Sequence, residues 1–463
     1  MTLTEQDLKN LPETGIDPEN PGKYEGLIAD LQGNILKGHG RDYSVHLFIQ
    51  WKPDRIAEAK QWIKTFTQDY LTSAQQQADE ALRYREAGIP GSVFANFFLT
   101  RKGYESLGFE PIQIPKDQPF TMGMKNPQII SDFNDPKVEK WEAGYQNDIH
   151  SLILIADDNL IELLQLVNRI SQEIRKIAVI LHREDGFILR NQAGQVIEHF
   201  GFADGVSQPL FVKRDIVKAK TNNADFDKWD PRAPLDLVLV NDPNGKTEDS
   251  YGSYLVYRKL EQNVKAFRED QRKLAQTINV KDDLAGAYVV GRFPDGTPVT
   301  KTDIPTYAVT PANNFNYDED KAANKCPFHA HIRKTNPRGD TKRLMNVSLE
   351  EERGHRIARR AISYGKNNPV KEPEKDSGLL FLCFQASIEN QFNFLQIRWA
   401  NAERFVEVGV GPDPLIGQPT GSQKWPKQWG KDAKEDYSFT LWVFMKGGEY
   451  FFTPSISFLL SLA

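Results

Sequence analysis

The sequence predicts an α+β fold made of two halves with similar strand and helix content. Short runs of β-branched and aromatic residues mix with single amphipathic helices, without the regular alternation of a doubly wound sheet. The pattern restarts after a polar stretch near the middle of the chain. With 463 residues, 39% hydrophobic and 26% charged, the chain has the composition of a globular protein with a sizeable core.

The first half is predicted to span residues 26–217, after a polar N-terminal arm at residues 1–25 that lacks periodicity. Apolar runs predict strands at 45–51, 93–99, 151–155 and 177–181. Spacing of three to four residues between apolar positions predicts helices at 55–85 and 158–175.

A polar stretch at residues 218–233 is predicted to be a linker, and a second half at residues 234–463 follows it. The stretch contains Asn222, Asn223, Asp225, Asp227, Asp230 and Pro231. Beyond it, strands are predicted at 235–240, 252–257, 379–386 and 392–399, and helices at 259–279 and 347–362. The sequence contains no visible repeat, yet the similar content of the halves permits an old duplication.

The overall charge argues for small-molecule chemistry. Lys and Arg number 58 against 63 Asp and Glu, so the net charge of −5 gives no reason to bind nucleic acid or an anionic membrane. No apolar run approaches the roughly 20 residues of a membrane-spanning helix. The first residues do not resemble an export signal, and there are only two cysteines, so a cytoplasmic location is predicted.

The densest chemical feature is Cys326-Pro-Phe-His329-Ala-His331-Ile-Arg333-Lys-Thr-Asn-Pro337-Arg338. With Cys383 it offers four potential zinc ligands, a weak alternative. A single neutral imidazole is enough to hold haem iron, which makes His331 a candidate axial ligand. Arg333 and Arg338 are suited to gripping the two carboxylates that a haem carries.

The second feature is Phe200-Gly201-Phe-Ala-Asp204-Gly205-Val-Ser-Gln-Pro209. Glycines on both sides of Asp204 let the backbone approach a flat ligand closely and leave the carboxylate unobstructed. Taken alone, the segment favours an ordinary Asp-Gly turn at the end of a strand that starts near Val196.

Together these residues resemble the dye-decolourising peroxidases. Gly201-Phe-Ala-Asp204-Gly205 is similar to that family's GxxDG motif, and Ala330-His331-Ile-Arg333-Lys-Thr-Asn-Pro-Arg338 to its proximal haem-ligand segment. Supporting stretches lie at 30–38, 291–298, 357–365 and 411–417, in the family's order. The resemblance therefore covers nearly the whole chain.

The resemblance implies a haem b peroxidase with one haem per chain, enclosed by two ferredoxin-like halves of the dimeric α+β barrel type. It assigns the iron to His331 rather than His329, the distal carboxylate to Asp204 and the distal arginine to Arg359 rather than Arg360. The cofactor-binding residues that it implies are Gly205, Val206, Ser207, Gln208, Arg333, Arg338, Leu379, Phe381 and Phe392.

The implied reaction reduces hydrogen peroxide through a ferryl intermediate and oxidises bulky aromatic dyes or phenols. Asp204 is expected to move the peroxide proton, and Arg359 to stabilise the charge on the departing oxygen. Because a model aspartate has a pKa of about 3.9 and a model histidine of about 6.5, a distal carboxylate predicts an acidic optimum for dye turnover. The protein is expected to be a monomer or a homodimer.

Two other functions and one electron path stay open at this stage. A haem carrier or iron-releasing protein needs only His331 and an apolar slot, so it leaves Asp204 and Arg359 without a role. A zinc hydrolase would use His329, His331 and Asp204. Because large dyes cannot reach a buried haem, Tyr364 and Trp399 are predicted to relay electrons from the surface.

Overall fold

The centre of the molecule is a closed barrel of eight antiparallel strands. The computed structural model describes residues 2–10, 12–222, 226–366, 372–418 and 421–463. Strands within these residues are β1 (Tyr43–Trp51), β2 (Phe94–Leu99), β3 (Ser151–Asp157), β4 (Ala178–Phe187), β5 (Leu189–Arg190), β6 (Val196–Ile197), β7 (Val240–Asn241), β8 (Tyr251–Gln262), β9 (Ala358–Arg359), β10 (Ile362–Gly365), β11 (Ser377–Gln385), β12 (Ser422–Pro426), β13 (Lys434–Ser438) and β14 (Val443–Thr453).

The barrel draws four strands from each predicted half. Its order is β8-β14-β2-β3-β1-β4-β10-β11, and β11 pairs with β8 to close it. The two seams between the halves are short: Phe452 of β14 faces Leu99 of β2, and two residues of β10 pair with β4. The predicted α+β fold of the dimeric α+β barrel type is confirmed.

Helices cover the barrel and surround its mouth. They are α1 (Glu5–Lys9), α2 (Glu25–Asp30), α3 (Ile56–Asp69), α4 (Ala74–Ala87), α5 (Arg101–Ser106), α6 (Gln118–Met122), α7 (Pro127–Phe133), α8 (Ala143–Gln146), α9 (Leu160–Ile177), α10 (Lys213–Asn222), α11 (Val264–Ile278), α12 (Asp282–Val290), α13 (His331–Thr335), α14 (Asp340–Met345), α15 (Leu349–Gly354) and α16 (Ile456–Leu460). No helix in these ranges is long and apolar enough to cross a bilayer.

Local sequence explains two central strands and the longest helix. The side chains of β2 and β3 are buried on both faces, which is why Phe94–Leu99 and Ser151–Asp157 read as nearly continuous apolar runs. In α9, Leu163, Ile170 and Ile174 lie on one buried face. Asn159 caps this helix by accepting hydrogen bonds from the first backbone N–H groups.

Three sequence predictions of secondary structure are wrong. Residues 235–240 form a 3-10 turn (Leu235–Leu237) before β7, and the helix predicted at 347–362 ends at Gly354, after which β9 and β10 begin. Residues 392–399, predicted as a strand, lie in wide helical turns over Glu389–Asn393 and Leu395–Ala400. Phe392, Leu395 and Trp399 are all buried at this helical spacing.

The predicted arm and linker are both packed against the body. Ile16 and Tyr24 of the arm are buried, and Ile16 forms a bridge with Val212. The linker stretch begins inside α10 and continues with the buried Phe226 and Trp229, while residues 223–225 lie outside the described part. The division of the chain at 218–233 stays a prediction.

Candidate active site

One cavity brings together most of the residues that the sequence predicted for the site. It has a volume of about 290 Å³ and lies against the outer faces of β8, β11 and β14. The predicted residues that line it are Asp204, Gly205, Val206, Ser207, Gln208, His331, Arg338, Arg359, Leu379, Phe381 and Phe392. They come from both predicted halves.

His331 is the first residue of α13, and its ring is held by a buried carboxylate. Its Nδ1 lies 2.8 Å from Oδ2 of Asp413, whose side chain is fully buried. The other oxygen of Asp413 accepts hydrogen bonds from the backbone N–H groups of Leu415 and Ile416. Because a carboxylate only accepts, Nδ1 carries a proton, which leaves Nε2 as the ring nitrogen available to a metal. This arrangement is typical of a histidine that binds a metal through Nε2.

Asp204 and Arg359 form an ion pair in the same cavity. Nη1 of Arg359 lies 3.3 Å from Oδ1 of Asp204, and Nη2 donates to the carbonyl of Ser207 at 3.1 Å. The side chain of Gln208 holds the backbone of Arg359 through two hydrogen bonds, at 3.1 and 3.2 Å. Gly205 has a φ of +70°, a conformation that favours glycine, and its N–H donates to Asp204. The predicted carboxylate and guanidinium therefore lie side by side.

Three arginines at the cavity, the buried Arg292 and Arg338 and the half-buried Arg356, have no carboxylate partner among the residues described. Arg338 lies against the rings of Trp229 and Phe315 and donates to neutral oxygens such as the carbonyl of Phe315. The hydrogen bonds of Arg292 and Arg356 likewise go only to carbonyl and amide oxygens. Burial lowers the pKa of Arg338 and of Arg356 to about 9, and of Arg292 to about 10. Such a set of guanidinium groups is suited to a ligand that carries carboxylates.

One part of the cavity wall, on strands β8 and β11, is apolar. Leu379 and Phe381 of β11 and Leu260 of β8 stand on one face of the barrel wall, and Phe392 packs against Phe381 with ring centroids 5.8 Å apart. Apolar walls with a few placed charges at one end suit a large flat ligand with an acidic edge.

Arg333 does not line the cavity, which corrects the prediction that it contacts the cofactor. Its guanidinium is 1% exposed and forms ion pairs with Asp320 at 2.9 Å and Asp340 at 2.6 Å. It also stacks between Tyr317 and Phe328. Because residues two apart on a helix are about 200° apart around its axis, Arg333 points away from the face that carries His331 and pairs within the chain.

The ligands of the zinc alternative are not gathered. Among the described residues, the one group of three potential ligands is Glu142, His182 and Glu184, which contains none of the predicted zinc residues. His329 is buried against Trp425, and burial holds its pKa well below the usual range. Cys326 and Cys383 are both buried, free thiols.

Arg360, Tyr364 and Trp399 also lie outside the cavity wall. Arg360 donates to the carbonyls of Asn34 and Ile35, which leaves Arg359 as the arginine beside Asp204. Tyr364 is 6% exposed and Trp399 4% exposed. Neither aromatic residue offers the surface position that the electron-relay prediction requires.

Sequence reasoning missed several residues that shape the site. Asp413, Arg292 and Arg356 lie in or beside stretches that carried the family resemblance, but nothing in a single sequence indicates that they meet at one cavity. Trp229 was assigned to the linker. Glu198 also lines the cavity, and burial raises its pKa.

Two family models match the chain. The model "DyP dimeric alpha+beta barrel domain" matches residues 30–188, and the model "Dyp-type peroxidase, C-terminal" matches residues 219–407. The chain belongs to the dye-decolourising peroxidase family. The predicted family resemblance is thereby confirmed, and haem is the cofactor of this family.

Relatives of this peroxidase include characterised and solved proteins. It is 38% identical over 460 residues to the multifunctional dye peroxidase DyP2 of Amycolatopsis sp., covering 95% of this chain and 97% of that one. The dye-decolorizing peroxidase msp1 of Mycetinis scorodonius is 28% identical over 93% of this chain and 86% of its own. The crystal structure of the DyP-type peroxidase AnaPX of Anabaena sp. superposes with a TM-score of 0.99 at 69% identity, over the full length of both chains.

Proposed function

We propose that this protein is a peroxidase that holds one haem b per chain, reduces hydrogen peroxide and oxidises bulky aromatic dyes or phenols. The observation that carries the proposal is that one cavity contains both His331, held by Asp413, and the Asp204–Arg359 pair. A haem carrier needs the first of these features and has no use for the second.

The residues of the cavity fit a haem in charge and shape. His331 would bind the iron through Nε2, and Asp413 fixes the orientation of its ring by accepting a hydrogen bond from Nδ1–H. Arg338, Arg292 and Arg356 would hold the propionates, since no carboxylate in the described part of the chain pairs with these groups. Leu379 and Phe381 would contact the apolar face of the macrocycle.

Asp204 and Arg359 are proposed to perform the proton transfer and charge stabilisation. Bound haem supplies the redox chemistry, accepting electrons from aromatic donors and passing them to peroxide. The carboxylate of Asp204 takes a proton from one peroxide oxygen and returns it to the other as the bond breaks. The carbonyl of Ser207 holds the guanidinium of Arg359, and the side chain of Gln208 holds its backbone. The guanidinium is proposed to face the charge that develops on the departing oxygen.

The test is an absorption spectrum of the protein loaded with haemin, recorded before and after one equivalent of peroxide, followed by an anthraquinone dye. Wild type is expected to change its Soret band with peroxide and to recover it with dye. Asp204→Asn is expected to keep the haem and to lose dye turnover by about 10²- to 10⁴-fold. The exposed Asp185→Asn serves as the matched control.

Two other results would change the assignment. A haem band inert to peroxide in the wild type would favour the carrier function, and unchanged dye turnover in Asp204→Asn would remove Asp204 from the mechanism. Dye turnover measured against pH tests the expected acidic optimum. Cell fractionation and light scattering test the predicted cytoplasmic location and the monomeric or dimeric state.

A further inference from the structure

The interior of the barrel, behind the cofactor cavity, contains a buried tyrosine hydrogen-bonded to a histidine. The hydroxyl of Tyr257 lies 3.3 Å from Nδ1 of His46, and Nε2 of His46 lies 3.0 Å from Oγ of Ser44. All three side chains are buried. Burial lowers the pKa of His46 to about 3, so the ring is neutral. With its N–H on Nε2 toward Ser44, the imidazole accepts the phenolic hydrogen bond at Nδ1.

A second tyrosine extends this arrangement toward the surface. The rings of Tyr145 and Tyr257 are nearly parallel, with centroids 6.3 Å apart, and the ring of Phe48 contacts both edge-on. Tyr145 donates to Glu184 at 3.1 Å, and Glu184 contacts His182 at 2.5 Å. Tyr145, Glu184 and His182 are thus linked by short polar contacts, and Tyr145 meets Tyr257 through ring contacts.

Tyr257 is separated from the cofactor cavity only by the strand that carries it. Side chains alternate along β8, so that Arg258, Leu260 and Gln262 line the cavity. Tyr257 points to the opposite side, where it reaches His46 of β1 across the barrel interior. The partner strand β11 repeats the alternation: Phe381, opposite Arg258, faces the cavity.

We propose that Tyr257 is an internal electron donor to the oxidised cofactor, with His46 as the acceptor of its proton. The inference rests on the proposed peroxidase function, which supplies the oxidant. One electron leaves the Tyr257 ring and reduces the oxidised cofactor by one equivalent. The phenolic O–H bond breaks, and the proton forms an N–H bond at Nδ1 of His46. The products are a neutral tyrosyl radical and an imidazolium, and an aromatic donor later restores the electron as the proton returns.

The hydrogen bond makes this step feasible in a dry interior. Oxidising a buried phenol without a base would leave a cation in an apolar environment, which is costly. An oxidised phenol is a much stronger acid than an imidazolium, so His46 takes the proton even though burial disfavours its charged form. Tyr104 offers the contrast, because its hydroxyl is equally buried and has no hydrogen-bond partner in the described structure.

The test is electron paramagnetic resonance of the haem-loaded protein, frozen after mixing with one equivalent of peroxide in the absence of donor. Wild type is expected to show a neutral tyrosyl radical, and Tyr257→Phe to lower its yield at least fivefold. His46→Gln keeps Tyr257 but replaces the imidazole with an amide that does not take up the proton. This variant is expected to lower the yield similarly. Tyr104→Phe is the matched control and should leave the signal unchanged. The Soret band is recorded on every sample.

Each outcome decides the proposal. A tyrosyl signal of wild-type size in Tyr257→Phe overturns it, whichever residue then carries the radical. If that variant does not bind haem, His46→Gln decides, and an undiminished signal there overturns the role of His46. A wild type whose Soret band changes with peroxide but gives no tyrosyl signal overturns this inference alone. A Soret band that does not respond removes the peroxidase function and the inference together.

Discussion

The two faces of strand β8 differ in the way their charges are balanced. Toward the barrel interior, Lys259 lies 2.8 Å from Glu142 and 2.7 Å from Glu184, and both carboxylates also contact His182. Toward the cavity, Arg258 is paired with Asp135. In the described part of the chain, the nearby Arg338, Arg292 and Arg356 donate hydrogen bonds only to neutral oxygens. The charged groups on the interior face are therefore paired with one another, while the cavity face has unpaired positive charge.

This difference separates a structural network from a binding site. A buried charge is tolerated when it is paired within the chain, and removing one member of the pair leaves the other exposed to the full cost of burial. Unpaired buried guanidinium groups, in contrast, lower the stability of the apoprotein. A ligand with carboxylates offsets this loss by pairing with them. Variants on the two faces should therefore affect different properties, stability on one and haem affinity on the other.

The largest effect is expected at Lys259. Lys259→Met leaves Glu142 and Glu184 with His182 as their only cation, so the free energy of unfolding should fall by about 3 kcal/mol, measured by urea denaturation. Lys265→Met is the control, since its pair with Glu374 is exposed and should contribute much less to stability. Equal values for the two variants would show that the interior face is not a charge-paired network.

A pH dependence should follow from His182 in the same network. Burial lowers its pKa, but hydrogen bonds to Glu142 and Glu184 outweigh burial and raise it to about 9. Because the folded-state pKa lies above that of the unfolded chain, the stabilisation is complete below about pH 6.5 and is lost as pH rises through 9. We expect a loss of about 2 kcal/mol between pH 7 and 9 by urea denaturation. His182→Gln should flatten this part of the profile; an unchanged slope would assign it to other groups.

The smallest effect is expected on the cavity face. Arg338→Met removes a charge that the proposed propionate contact uses, so haemin affinity should fall roughly tenfold, or about 1.4 kcal/mol, in a titration followed at the Soret band. The apoprotein should lose less stability than Lys259→Met does. The control is Arg183→Met, which lies in an exposed ion pair on β4. Haemin affinity equal to wild type in Arg338→Met would mean that the surplus charge serves another ligand.

Arg333 and Arg338 show how far the sequence could predict this site. Both follow His331 closely, and both have the chemistry to bind a carboxylate. Only the folded chain reveals that Arg333 pairs with the carboxylates of Asp320 and Asp340, whereas Arg338 pairs with no carboxylate among the described residues. Motif spacing predicts which residue types are near an iron ligand, but not which of them other parts of the chain have already neutralised.

Asp413 and residues 389–400 illustrate two other limits. The contact between Asp413 and His331 joins positions 82 residues apart, and a single sequence contains no signal for such a pairing. The segment around Phe392 is buried against both the barrel and the cavity, so its apolar residues are closely spaced. That close spacing is why it was predicted as a strand. In contrast, the α+β class and most barrel strands were predictable, because alternation and apolar runs report local burial directly.

The seams of the barrel affect how the chain can fold while it is being synthesised. The four strands of the first half form a sheet whose two edges, β2 and β4, are covered only by β14 and β10. A nascent chain that has emerged as far as residue 361 therefore presents two unpaired edges, which are templates for association with other chains. The edge at β2 stays open until Phe452 is available to pair with Leu99. Cells that produce this protein quickly should consequently need a chaperone during synthesis more than after release.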